Sequence, residues 1–220
     1  VLVDIGGGTT DIAIFQDGII RHTAVIPFGG NIISEDIKEG CTIMKRQAEL
    51  LKVKFGSALA SECQDNEIVC IPGLRGREPK EISVRNLASI IQARMEEIIE
   101  HVYYEIKNSG FEKQLIGGIV VTGGGAQLKH ITQLFEYITG MDTRIGYPNE
   151  HLAPTTMVDN ITSPMYATGI GLVIKGFQDA YRNFETESDN NAAKNHSTKT
   201  KGSFFEKILT KSRTWFEEED

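Results

Sequence analysis

A run of three glycines between two strand-like segments constrains the fold of this chain more than any other feature. Residues 4–11 read DIGGGTTD; an apolar run over residues 1–5 leads into the glycines, and residues 11–15 resume strand character. Glycines let backbone N–H groups approach a phosphate closely. A P-loop or Rossmann turn would lead from its glycines into a helix. Because a strand follows here, the pattern predicts a phosphate-gripping β-hairpin, with an ordinary tight hairpin as the alternative.

The rest of the pattern predicts a mixed α/β chain. Asp17-Gly18 is a strong hairpin signal within residues 1–27, which are predicted to form a three-stranded meander. Residues 116–122 are predicted as a buried strand that ends at a second glycine triplet, residues 123–125. The other predicted elements are helices over residues 43–54, 84–107, 126–139 and 165–177, and short strands over residues 68–71 and 81–84. The last of these helices is apolar and rich in small residues, so we expect it to be buried.

Composition excludes several classes of protein. The chain has 220 residues, 40% of them hydrophobic, which is enough for a substantial core. Its net charge of -7 argues against a nucleic-acid partner. Cys41, Cys63 and Cys70 match no zinc pattern, so we expect reduced thiols in a cytoplasmic protein. The chain lacks an initiator methionine and begins with a strand at Val1, which suggests a fragment or a chain cut at a domain junction.

The C-terminal segment differs from the rest of the chain. Residues 186–202 contain no large apolar side chain and are expected to form a flexible linker. At 100° per residue, residues 203–217 form an amphipathic helix typical of membrane-surface helices. Its apolar face holds Phe204, Phe205, Ile208, Leu209, Trp215 and Phe216. Residues 199–213 carry five basic residues and one acidic residue, whereas residues 217–220 are all acidic. We therefore expect weak, reversible membrane insertion that depends mainly on aromatics; packing on the protein's own domain or on a partner is the alternative.

Three motifs, taken in order, resemble the actin-like superfamily that includes actin, Hsp70 and sugar kinases. The glycine hairpin at residues 4–11 resembles its second phosphate motif. Residues 120–125, VVTGGG, resemble the adenosine motif, and residues 164–171, PMYATGIG, resemble the second connecting helix. This resemblance implies an α/β, actin-like (ribonuclease H-like) second lobe that binds ATP with Mg²⁺.

Within the superfamily, the chain resembles the bacterial cell-division family FtsA over residues 1–178. The matching stretches are VDIGGGTTDIA at residues 3–13, GNIISEDI at residues 30–37, AELLKVKFG at residues 48–56 and GREP at residues 76–79. The implied organisation is a core subdomain with a smaller α/β subdomain inserted into it, then a linker and a membrane-targeting helix. Their bounds are residues 1–28 and 116–178 for the core, 29–115 for the insert, 179–202 for the linker and 203–217 for the helix.

The resemblance also implies roles for individual residues. The phosphate-binding set is Asp4, Gly6, Gly7, Gly8, Thr9 and Thr10, with Asp4 near Mg²⁺ through water. The adenosine-binding set is Glu49, Lys52, Gly123, Gly124 and Gly125, although Glu49 and Lys52 could instead be a solvated i,i+3 charge pair. Arg94 and Glu97 match the region that binds the acidic and apolar C-terminal tail of FtsZ, although Arg94 could also be an ordinary surface arginine.

The implied function is that of a polymerising, ATP-binding protein with at most weak ATPase activity. The partners would be FtsZ, other copies of the protein, other division proteins and the membrane, at the cytoplasmic face of the cell membrane at midcell. ATP binding by this chain alone should be weak, because the first phosphate loop of the superfamily is not in it. The alternatives are the second lobe of a sugar or acetate kinase, an Hsp70-like protein or a pilus-assembly actin homologue.

Overall fold

The computed structural model consists of seven strands and five α-helices over the residues that it describes, which are 1–72, 78–149, 152 and 161–192, with side chains described as far as residue 182. The strands are β1 (Leu2–Ile5), β2 (Thr10–Gln16), β3 (Ile19–Ile26), β4 (Ile68–Ile71), β5 (Lys80–Ser83), β6 (Ile119–Thr122) and β7 (Thr143–Ile145). The helices are α1 (Gly30–Cys41), α2 (Lys45–Phe55), α3 (Val84–Asn108), α4 (Ile131–Thr139) and α5 (Ala167–Ala192).

Five of the strands form one sheet, in the order β3-β2-β1-β6-β7. β1, β2 and β3 pair antiparallel, which confirms the predicted meander. β6 pairs parallel with both β1 and β7. Because side chains alternate between the two faces of a strand, Val3, Ile5, Ile12 and Ile14 all lie on one face, where they are buried. The parallel pairing of β1 with β6 places the carboxyl ends of these two strands at the same edge of the sheet.

Helix α3 packs against this sheet and also against α1. Ser83 caps its N-terminus by accepting a hydrogen bond from the backbone N–H of Asn86. Near its other end, Glu105 lies 3.2 Å from His22 of β3. Its buried residues recur at the predicted three- and four-residue steps: Val84, Leu87, Ala88, Ile91, Met95, Ile98, Ile99, Val102 and Ile106. Helix α3 therefore connects the five-stranded sheet to α1.

The predicted small strands form a separate two-stranded antiparallel sheet, β4-β5. The predicted second strand included Val84, but Val84 begins α3 in the structure because Ser83 is the capping residue. This sheet, α1 and α2 all lie between β3 and β6 in the chain, where the insert was predicted. All of these elements belong to one compact unit, Val1–Leu172.

Two predicted elements are shorter in the structure. The strand predicted over residues 116–122 begins only at Ile119, and Ile116 is exposed. The helix predicted over residues 126–139 is split into a 3₁₀ turn, Gly124–Gln127, and α4. His130 adopts the left-handed conformation, with φ of 62°, immediately before α4. Leu128 is already extended, with ψ of 133°. Neither an extended nor a left-handed residue can continue a right-handed helix, which explains the break.

Helix α5 differs from its prediction in burial and in length. The prediction of a buried helix over residues 165–177 is wrong, because Leu172 and Phe177 are 69% and 73% exposed. Apolar composition predicts burial only where a partner surface is available to cover it. The helix also continues to Ala192, over the first part of the predicted linker. No glycine or proline interrupts residues 177–192, and Lys175 pairs with Asp179 at i,i+4.

A second unit, Val173–Asp220, contains the remainder of α5. The predicted membrane-targeting helix over residues 203–217 lies outside the described residues. None of the helices in the described part of the chain combines the length and the hydropathy that crossing a bilayer requires.

Candidate functional site

The two glycine triplets lie side by side at one edge of the five-stranded sheet. In the parallel pairing of β1 with β6, Asp4 is opposite Thr122, so the glycines that follow each strand leave the sheet together. They border a cavity of about 320 Å³. Of the residues predicted to bind a nucleotide, this cavity is lined by Gly6, Gly7, Glu49, Lys52, Gly124 and Gly125. The fold therefore brings together segments that are more than 100 residues apart in the sequence.

The first glycine turn is held by the N-terminus of α1. The backbone N–H of Gly30 donates to the carbonyl of Gly6 at 2.9 Å, and that of Asn31 donates to the carbonyl of Gly7 at 2.8 Å. This docking requires a glycine at position 29, because a Cβ there would lie 2.6 Å from the Gly6 oxygen. The first N–H groups of α1 are thus used inside the protein, and they fix the orientation of the turn.

Two N–H groups of this turn remain available to a ligand, whereas that of Gly6 donates to the Thr9 carbonyl at 2.9 Å. Within the described residues, the backbone N–H groups of Gly7 and Gly8 have no hydrogen-bond acceptor in the protein. A Cβ built on Gly8 would meet no atom within 4 Å. Unpaired N–H groups beside a cavity suit an anion such as a phosphate group. This arrangement fits the ligand class that the glycine pattern predicted.

The other predicted phosphate-binding residues do not line the cavity. Thr10 is fully buried, and its hydroxyl donates to the carbonyl of Phe28 at 2.8 Å, so its side chain stabilises the hairpin from inside. The Thr9 hydroxyl donates to Asp11 at 3.0 Å. Asp4 accepts a hydrogen bond of 2.6 Å from the Thr168 hydroxyl, at the start of α5. The described part of the chain has no cluster of three or more His, Cys, Asp or Glu side chains suited to enclosing a metal ion.

Opposite the glycine turns, Glu49 and Lys52 of α2 form a polar cluster with Ser34 of α1. The Lys52 ammonium donates to Glu49 at 2.8 Å, to the Ser34 hydroxyl at 2.9 Å and to the Gly30 carbonyl at 2.7 Å. The Ser34 hydroxyl donates to the same Glu49 oxygen at 2.5 Å. Burial raises the pKa of the Glu49 carboxyl, but hydrogen bonds from Lys52 and Ser34 outweigh it and leave this pKa below its ordinary value. Glu49 is therefore ionised at neutral pH.

The second glycine triplet is anchored by the third motif. The backbone N–H of Gly123 donates to the Pro164 carbonyl at 3.1 Å, and the Thr122 hydroxyl lies 3.2 Å from the same oxygen. Gly123 has φ of 83° and ψ of 179°, a conformation essentially restricted to glycine. A Cβ on Gly124, by contrast, would meet no atom within 4 Å. All three sequence motifs consequently meet around this cavity.

Arg94 and Glu97 lie away from the cavity, on α3. The Arg94 guanidinium makes two hydrogen bonds to Asp36 of α1, of 2.6 and 3.0 Å, and a third to Glu97. Arg94 is partly buried and joins α1 to α3. Asp36 lies in one of the stretches that resemble the family, but the sequence predicted no role for it. Its partner Arg94 is 58 positions away, so their pairing depends on the tertiary fold.

Ser34 and Asn31 were also missed as members of the site. Helical spacing puts Ser34 one turn after Gly30, which is the only local hint that it faces the same side of α1. Its contact with α2 depends on how the two helices pack, and no sequence pattern specifies that contact.

The chain is similar in sequence to known bacterial cell division proteins. A family model described as Cell division protein FtsA matches residues 1–171. The Pseudomonas aeruginosa cell division protein FtsA is 40% identical over 177 residues, covering 80% of this chain and 42% of that protein. The Buchnera aphidicola protein of the same name is 30% identical over 225 residues, covering 99% of this chain and 50% of its own. The chain thus spans half or less of the length of these two relatives.

A solved structure supports the fold independently. MreB 5 of Spiroplasma citri, bound to AMPPNP, superposes with a TM-score of 0.64 at 24% identity. The match covers 83% of this chain and 54% of that one. The fold is actin-like, and the chain belongs to the FtsA family of cell division proteins.

Proposed function

We propose that this chain is the nucleotide-binding second lobe of a polymerising FtsA protein that links the FtsZ ring to the cytoplasmic face of the cell membrane at midcell. One observation carries the nucleotide part of the proposal. The parallel pairing of β1 with β6 brings two glycine turns to one cavity, and one of these turns has unpaired N–H groups. The fold shared with an AMPPNP-bound protein adds support.

The residues fit an ATP molecule with its polyphosphate at the first turn and its nucleoside at the second. Gly7 and Gly8 would donate backbone hydrogen bonds to phosphate oxygens. Gly124, which is open toward the cavity, would let the backbone lie against the nucleoside. Asp4 would help to hold Mg²⁺ through water, which suits a cation that keeps much of its hydration.

Titration of the chain with Mg²⁺·ATP, followed by calorimetry, tests this assignment. We expect saturable binding of ATP and ADP, with AMP weaker because it lacks the phosphates that the first turn would hold. No sugar or acetate should be phosphorylated. A phosphorylated sugar product would instead support a kinase, and AMP binding as tightly as ATP would contradict the role of the glycine hairpin.

The proposed partner surface includes Arg94 and Glu97. FtsZ tails are acidic and apolar, so an arginine is a chemically suitable contact. Because Arg94 is already paired with Asp36, an incoming carboxylate would have to share or replace that pairing. The pairing makes a substitution at Arg94 alone ambiguous, since it also affects the packing of α1 against α3.

We expect Arg94→Glu and Arg94→Gln to weaken binding of an FtsZ C-terminal peptide, the latter by about tenfold, as for the loss of a charged hydrogen bond. Asp36→Asn should keep or increase affinity, because it leaves the guanidinium in place and removes a competing charge. Fluorescence anisotropy with a labelled peptide measures both effects. Arg85→Gln is the matched control, since Arg85 is an exposed arginine of the same helix that pairs with Asp65.

If Arg94→Gln and Asp36→Asn lowered the peptide affinity equally, the Arg94–Asp36 pair would act by holding α1 against α3. Unchanged affinity in Arg94→Gln would remove this residue from the proposed surface.

For membrane attachment, we expect Trp215→Asp to reduce co-sedimentation with anionic vesicles by at least about tenfold, because it places a charge on the apolar face of the proposed terminal helix. Thr214→Asp is the matched control: it adds the same charge at about 280° from Phe204, off that face. Sedimentation unchanged by Trp215→Asp, or equally reduced by both substitutions, would contradict insertion through the aromatic face.

A further inference from the structure

In the polar cluster beside the cavity, formed by Ser34, Glu49 and Lys52, two of the three side chains are largely inaccessible to solvent. Ser34 is 1% exposed, and the Lys52 side chain is 13% exposed. The Glu49 side chain is more exposed, at 47%, although both Glu49 and Lys52 line the cavity. The three side chains thus differ in their exposure to a ligand, although the sequence resemblance gives Glu49 and Lys52 the same role.

The number of hydrogen-bond donors on Lys52 distinguishes its role from that of Glu49. A lysine ammonium has three N–H donors and no acceptor. Those of Lys52 are directed to three protein acceptors at 2.7–2.9 Å: the Gly30 carbonyl, the Ser34 hydroxyl and one oxygen of Glu49. None is left for a ligand while these bonds persist.

Ser34 and Lys52 hold the same oxygen of Glu49. The Ser34 hydroxyl has one proton, and it goes to Glu49 Oε2, because this charged acceptor lies at 2.5 Å whereas the Gly30 carbonyl lies at 3.2 Å. The other oxygen, Oε1, has no partner in the described part of the chain. Glu49 is therefore fixed in orientation and presents one free carboxylate oxygen, which can only accept a hydrogen bond.

The cluster is also joined to the first glycine turn. Lys52 binds the carbonyl of Gly30, and the N–H of the same residue binds the carbonyl of Gly6 at 2.9 Å. The next N–H along, from Asn31, binds the carbonyl of Gly7. A continuous chain of hydrogen bonds therefore runs from Glu49, through Lys52 and the first residue of α1, to the turn with the unpaired N–H groups.

We infer that Ser34 and Lys52 are positioning residues rather than ligand contacts, and that Lys52 sets the geometry of both ends of the cavity at once. Ser34 acts at one end only, by orienting Glu49. Lys52 acts on Glu49 and, through Gly30, on the turn formed by Gly6 and Gly7. The identity of the ligand rests on the proposed function, whereas the hydrogen-bond chain does not.

The inference can be tested first on the full chain without nucleotide, by NMR. Ser34→Ala should raise the Glu49 carboxyl pKa, measured by carbon-13 titration, and leave the amide signals of Gly6, Gly7 and Gly8 in place. Lys52→Met should raise the same pKa and also shift those amide signals. Lys38→Met is the matched control, because it breaks an exposed i,i+3 lysine–glutamate pair on α1 and should change neither readout.

Binding of the two halves of a nucleotide gives a second readout. Ser34→Ala should weaken binding of adenosine but not of inorganic tripolyphosphate. Lys52→Met should weaken binding of each by about tenfold, because Glu49 and Gly30 both lose the charged hydrogen bond that positions them.

An unchanged Glu49 pKa in both variants, or turn signals unmoved by Lys52→Met, would overturn the inference. Loss of tripolyphosphate binding in Ser34→Ala would also overturn it, because Ser34 would then act on both ends. If the pKa and amide signals change as expected but the unsubstituted chain binds no ATP, the positioning network is supported and the proposed nucleotide function fails.

Discussion

We expect Gly123→Ala to lower the free energy of unfolding by about 3 kcal/mol or more. Gly123 has φ of 83° and ψ of 179°, where a side chain strains the backbone. Its Cβ would lie 2.3 Å from Asp4 Oδ1 and 2.6 Å from the Ile5 carbonyl. The second glycine triplet could then no longer sit against β1. Urea denaturation followed by circular dichroism measures the effect.

Gly124→Ala is the matched control for this prediction. It makes the same chemical change one residue later, where a Cβ meets no atom within 4 Å. We expect a change of less than about 0.5 kcal/mol, as for a substitution away from buried features. Equal destabilisation by both substitutions would contradict the geometry described for this turn.

The second large effect concerns binding. We expect Gly124→Leu to lower the affinity for Mg²⁺·ATP by more than about tenfold, because an isobutyl group there would enter space that the nucleoside would occupy. Stability should change little, since the position is open. Calorimetric titration of folded protein measures the affinity, and denaturation of the same sample verifies the fold.

Gly117→Leu is the control for added apolar bulk. Gly117 is exposed, its Cβ would also meet no atom within 4 Å, and it does not line the cavity. Its substitution should leave ATP affinity unchanged. If Gly124→Leu bound ATP as well as the unsubstituted chain did, the nucleoside would not lie at this turn.

Local signals in the sequence were sufficient for the elements that frame the site. Asp17-Gly18 specifies the β2–β3 hairpin, and both residues adopt positive φ in the structure. The periodicity of α3 also predicted its buried face, since its core contacts repeat along one helix. These features depend on neighbours in sequence, which is why pattern reading finds them.

The side-chain network could not be predicted in the same way. Ser34 contacts Glu49 and Lys52 only because α1 packs against α2, and the Arg94–Asp36 pair likewise depends on how α3 meets α1. For helix α5, the apolar composition predicted burial, but most of its described apolar side chains are exposed in the structure. Contacts between elements are decided by packing geometry, which a single sequence does not reveal.

The most direct test of the account is to add Mg²⁺·ATP to the isotopically labelled chain and follow its backbone amide signals by NMR. We predict that the signals of Gly7, Gly8 and Gly124 shift together along one saturable curve, while that of Gly110, just after the C-terminus of α3, stays fixed. Shifts confined to other parts of the chain, or no shift of the two glycine turns at saturating ATP, would contradict it.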